Sequence, residues 1–116
     1  ERYPDGGIYK GQFSNDSRSG LGLYLFATGQ RYYGEWMDGV RHGDGVEINS
    51  AGERFATRFD RGKRMSRIVE SDINRRDLLH LMGRVEATVR AAQTQADTAR
   101  KEGRQLGMLQ RMLSSV

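Results

Sequence analysis

The sequence contains no cysteine. Disulfide frameworks and thiolate metal sites are thereby excluded, and the absence fits a reducing compartment. No stretch approaches the roughly 20 apolar residues of a membrane-spanning helix. Residues 1–20 lack an apolar segment with a cleavage site, so no signal peptide is visible. Histidine is scarce, and neither His42 nor His80 has a second histidine at metal-ligand spacing. Serine and aspartate are present without the companions of a catalytic triad. The Gly-x-Gly pairs at 20–22 and 43–45 lack the third glycine, preceding buried strand and following helix of a phosphate loop. No catalytic residue, metal ligand or cofactor site is read from the sequence, and no enzyme is expected in this chain.

What is present is unevenly distributed. Apolar residues make up 36% and charged residues 29% of the 116 residues, lean for a compact core yet too apolar and aromatic for a disordered tail. Residues 1–63 hold 9 basic and 9 acidic side chains, whereas residues 64–116 hold 10 basic and 6 acidic, so the net charge of +4 lies in the second part. Glycine is skewed the other way, with 12 of 15 before residue 64. These shifts place a boundary near residues 62–67.

The first part repeats with an offset of 23. Tyr9-Lys10-Gly11-Gln12-Phe13 aligns with Tyr32-Tyr33-Gly34-Glu35-Trp36, Gly20 with Gly43, Gly22 with Gly45, and Gly29 with Gly52. A third copy begins at Phe55, sets Phe59 opposite Trp36, and breaks off near Lys63-Arg64. Residues 1–8 read as the end of an earlier unit, so the parent protein is expected to extend further N-terminally. Each unit reads as a β-hairpin. Tyr32, Gly34 and Trp36 alternate with Tyr33 and Glu35 and share a face. Asp38-Gly39 supplies the turn. The glycines that open the second strand leave room for a ring to lie against the backbone.

The segment Tyr-x-Gly-Glu-Trp-x-x-Gly-x-x-His-Gly-x-Gly at 32–45 closely resembles the MORN repeat. The resemblance covers residues 3–63 and implies an elongated strip of consecutive hairpins. Its structural positions are Tyr9, Gly11, Phe13, Tyr32, Gly34, Trp36, Gly43, Gly45 and Phe59. The match has departures. Phe13 replaces the usual tryptophan, Asn15-Asp16 stands in for Asp38-Gly39, and Glu47 and Asn49 sit where the first unit has Tyr24 and Phe26. The second unit is therefore expected to pack more weakly on that face.

After a linker at 64–70, the period changes. Ser71 or Asp72 is positioned to cap a helix over 71–114. From Leu78 a seam runs through Met82, Val85, Val89, Ala92, Ala96, Ala99, Gly103, Leu106, Gln110 and Leu113 in alternating steps of four and three. Such a helix would be about 65 Å long, against about 25 Å for roughly five strands. Its proximal half, Leu78 to Val89, is expected on the sheet. Leu106, Leu109, Met112 and Leu113 form a candidate partner-binding face, with self-association or simple fraying as the alternatives. The expected class is mainly β with one long C-terminal amphipathic helix.

The order of repeat, basic linker and alanine-rich helix also resembles the end of the MORN region in junctophilins, a likeness carried by residues 84–93 and Ala99-Arg100. In that family the repeats associate with the plasma membrane, which implies peripheral binding to anionic phospholipid. A candidate ladder for a lipid or an acidic partner is Arg18, Arg41 and Arg64, at one repeat position; the bland reading is three solvated turn residues. Nucleic acid is disfavoured, because the repeat part is electrically neutral and lacks a basic stripe with stacking aromatics. The sequence leads us to expect an intracellular scaffold, cytoplasmic or membrane-peripheral, that binds a protein partner.

Overall fold

The computed structural model describes residues 3–93. Six strands form one antiparallel meander in the order β1-β2-β3-β4-β5-β6. They are β1 (Ile8–Ser14), β2 (Ser17–Leu25), β3 (Arg31–Met37), β4 (Val40–Ile48), β5 (Arg54–Asp60) and β6 (Lys63–Val69). A helix, α1, follows over 75–93. Mainly β with one helix is thus the observed class.

The three tight hairpins turn at Asn15-Asp16, Asp38-Gly39 and Arg61-Gly62, with both residues of each pair at positive φ. This is the turn whose twist matches flanking strands. Asn15-Asp16 adopts it without glycine, since short polar side chains tolerate this region. The wider connections also repeat. Gly29 donates to the Phe26 carbonyl at 3.0 Å, as does Gly52 to Asn49 and, at 2.8 Å, Gly6 to Tyr3.

The first two hairpins share an irregular register. The step from Gly34 to Trp36 on β3 faces that from Gly45 to Arg41 on β4, so β4 carries two extra residues. The Gly11/Phe13 step against Gly22/Arg18 is the same. Two devices hold this bulge. Gly20 and Gly43 sit at φ 75° and 77°, and an acceptor side chain caps the displaced backbone. Gln12 Oε1 receives the Leu21 N–H at 2.8 Å, and Glu35 Oε2 receives the Asp44 N–H at 2.6 Å.

The third hairpin has neither device. Ser66 stands at the Gly43 position, and Arg58, which only donates, stands at the Glu35 position. There the step from Arg58 to Phe59 faces Ser66 to Arg64, with one extra residue instead of two. The register slips by one. Arg67, not Ile68, faces Thr57 where Gly45 faces Gly34. Residues 64–70, expected as a linker, therefore lie almost wholly in β6 and complete the last hairpin. The backbone of β5 needed a partner, and the turn at Arg61-Gly62 delivered one.

The helix begins at 75, four residues later than expected. Ser71 and Asp72 do not cap it. Asn74 Oδ1 instead takes the Ser71 N–H at 2.7 Å, while its amide donates to the Val69 carbonyl at 3.3 Å. Glu70 accepts from Arg54 at 2.8 Å and from Arg75 at 3.2 Å, tying β5 to the helix start.

The two sheet faces have different fates. One carries Tyr33, Val46 and Ile48, and α1 closes over it with Leu78, Val85 and Val89, all buried. Leu21, Leu23, Ala56, Leu81 and Met82 fill the margins. The proximal seam thus packs on its own sheet, as expected, while Leu79 points outward at 46% exposure.

Candidate functional site

The other face is aromatic. Tyr9 and Tyr32 lie flat along their hairpins because Gly22 and Gly45 have no side chain. A Cβ at Gly22 would meet the Tyr9 ring at 2.3–2.5 Å, and one at Gly45 would meet Tyr32 at 2.3–2.6 Å. The two phenols donate to the carbonyls of Gln12 (2.7 Å) and Glu35 (3.1 Å). Burial pushes both well above the usual phenol pKa. The Trp36 indole donates to the Gly22 carbonyl at 3.2 Å.

The rings form one edge-to-face run across alternate strands. Phe13 meets Tyr9 at 5.0 Å, Tyr9 meets Trp36 at 5.3 Å, Trp36 meets Tyr32 at 5.3 Å, and Tyr32 meets Phe59 at 5.6 Å. Each contact contributes about 0.5–1.5 kcal/mol beyond burial. Tyr9, Tyr32, Trp36 and Phe59 are buried, as their repeat position implied, but Phe13 on edge strand β1 is 47% exposed.

The arginine ladder lies on this aromatic face. Arg18 stacks 4.6 Å from the Trp36 centroid and 4.8 Å from Tyr3. Arg41 stacks 4.4 Å from Phe59, and Arg64 stands 5.8 Å from the same ring. Arg18 and Arg41 are therefore partly buried strand residues, whereas Arg64 stays exposed. The next hairpin clips the backbone of the first two, Gly39 donating to the Arg18 carbonyl at 3.0 Å and Gly62 to that of Arg41 at 2.8 Å.

Glu47 changes the ladder's electrostatics. Its carboxylate accepts two hydrogen bonds from the Arg64 Nη2 at 2.8 and 2.9 Å, and lies 3.7 Å from Arg41 and 3.9 Å from Arg67. Burial lowers the Arg41 pKa, and Glu47 opposes that. Where the first unit places the Tyr24 ring, the second places an ion cluster. Arg67 in turn covers Phe55 at 3.7 Å. Sequence reading named neither Glu47 nor Arg67 as part of a site. The departure of Glu47 from Tyr24 was the available signal.

At Arg18 the face opens into a groove of about 480 Å³, lined by Tyr3, Pro4, Asp5, Tyr24, Trp36 and Val40 among others. The Asp5 carboxylate accepts from the Gly7 N–H at 2.8 Å and from the Tyr24 hydroxyl at 2.9 Å, and these bonds, in that order, lower its pKa. His42 is structural, its Nδ1 accepting from the Arg61 N–H at 3.0 Å, and His80 is exposed on α1. Among the described residues no group of three or more metal-ligating side chains occurs, and no helix is long and apolar enough to cross a membrane. The candidate partner-binding residues Leu106, Leu109, Met112 and Leu113 lie outside the described residues.

A meander of glycine-floored hairpins with a ringed face defines a repeat strip. Compared with known families, residues 9–31 and 32–54 each match the MORN repeat. The chain carries two MORN repeats, in general a non-catalytic module found in protein- and membrane-binding proteins. No curated protein matches the chain.

Proposed function

We propose that the chain is a non-enzymatic scaffold that binds a protein partner along the aromatic face of its MORN strip. The observation that carries this reading is the inequality of the two faces. The helix occupies one, while the other leaves open a groove of about 480 Å³, bordered by half-exposed Val40 and by arginines stacked on rings. Aromatic and arginine side chains in a recess are the usual anchors of protein interfaces. A second contact through Leu106, Leu109, Met112 and Leu113 belongs to the same proposal.

Hydrogen exchange of the full chain with and without a captured partner tests it. Protection is expected in β2 and at the Asp38-Gly39 turn. Protection confined to α1 would overturn the placement.

The second reading is a peripheral tether to anionic phospholipid, favoured by the arginine ladder. Sedimentation with phosphatidylserine vesicles tests it. Binding that salt weakens, and that changing Arg18, Arg41 and Arg64 to glutamate abolishes, would support the tether. Glu47 counts against it, because it neutralises part of the ladder.

A further inference from the structure

We infer that Arg18 anchors a carboxylate supplied by an acidic, partly apolar peptide segment of the partner. The inference rests on the scaffold reading and gives that partner its chemistry.

The second repeat acts as an internal control for the first. Arg18 and Arg41 are equivalent by the 23-residue offset. Both stack on rings, at 4.6 Å from Trp36 and 4.4 Å from Phe59, and both are clipped through their carbonyl by the next turn. Arg41 has a carboxylate, Glu47, at 3.7 Å. The residue 23 positions before Glu47 is Tyr24, which brings none. Among the described residues no carboxylate forms an ion pair with Arg18; its side chain donates to the Gly39 carbonyl. A guanidinium has five donors in a rigid fork suited to a carboxylate. The remaining donors of Arg18 border the groove.

Asp5 does not fill this role. Its oxygens hold Tyr24 and Gly7, and Arg18 ranks last among the causes that lower its pKa. The groove also offers apolar surface, Val40 at 40% exposure and Pro4, beside the guanidinium. An acidic side chain flanked by an apolar one matches both. A lipid surface matches less well, because it calls for several free cations, and Arg41 and Arg64 already share Glu47.

The test is fluorescence anisotropy with the full chain. The probe is a fluorescein-labelled, end-capped peptide of alternating glutamate and leucine, with glutamine replacing glutamate in the control peptide. Binding is expected for the glutamate peptide, with at least about tenfold loss in Arg18→Gln, since one charge-assisted fork is removed. Arg18→Lys should recover part of that loss, which separates charge from misfolding; circular dichroism and Trp36 emission check the fold. Arg64→Gln should change affinity by less than about twofold, because that guanidinium is spent on Glu47. No binding by the wild type, equal binding of the glutamine peptide, or an unaffected Arg18→Gln variant would each overturn the inference. So would vesicle binding that depends on Arg18 when peptide binding does not. Partner protection that stays on the groove in Arg18→Gln would sink this inference alone, whereas protection that lies on α1 would sink the scaffold placement with it.

Discussion

Replacing Gly45 with alanine tests the packing logic of the repeat in one methyl group. The new Cβ would stand 2.3 Å from Tyr32 Cε2 and 2.6 Å from its Cζ, with Gly45 Cα itself close to the facing Gly34. Tyr32 is fully buried and packs edge-to-face on both Trp36 and Phe59. Full expulsion of a ring burying roughly 150–250 Å² would cost about 4–6 kcal/mol at 25 cal/mol per Å². Partial relaxation of strand and ring reduces this, and alanine's lower conformational freedom returns about 0.5–1 kcal/mol. The expected loss is about 2–4 kcal/mol. Gly45 is not at positive φ, so backbone strain contributes nothing. Urea unfolding followed through Trp36 emission measures the loss. In a Tyr32→Ala background the same substitution should cost under about 1 kcal/mol, because the clash has gone. A cost below about 1 kcal/mol in the wild type, or an equal cost in both backgrounds, would refute the reasoning.

Three further outcomes follow from the geometry. Trp36→Ala should lose about 3–5 kcal/mol, whereas Phe13→Ala, at the exposed end of the ring run, should lose under about 1.5 kcal/mol, both by urea unfolding followed through circular dichroism, since Trp36 is the sole tryptophan. Thr57→Val should raise stability by about 1 kcal/mol, since the Thr57 hydroxyl is buried without a hydrogen-bond partner and valine keeps its shape; a loss would show that the hydroxyl is satisfied. Glu70 and Asp5 have folded pKa values held below their ordinary 4.5 and 3.8, first by Arg54 and by the Gly7 N–H respectively. Their contribution is complete above those values and lost as pH falls through the lower folded ones. The thermal midpoint should therefore hold from pH 7 to 5 and fall below about pH 4.5, less steeply in Glu70→Gln; an identical fall in both proteins would exclude Glu70.

Much of this molecule was legible in its residues. The 23-residue offset located the aromatic positions and two of the three tight turns, because turn chemistry and alternation act over a few neighbouring residues. Leu78, Val85 and Val89 announced the helix face by spacing alone. The third hairpin was not legible. Its last strand lacks the glycines that mark the other two, and it forms because β5 offers an unpaired edge, a tertiary condition. Nor did the repeat position of Arg18 and Arg41 show that their guanidinium groups lie on rings instead of in water. That depends on Trp36 and Phe59, which adjacent strands bring beneath them. Glu47 lies 17 residues from Arg64 and 20 from Arg67, and only the slipped register of β6 brings Arg67 to the same carboxylate. The sequence by itself determined the period, the turns and which residues share a face, since each is set by local backbone preference. The tertiary structure alone decided which charges meet, because ion pairing is set by through-space distance between strands and by how much water the rings exclude.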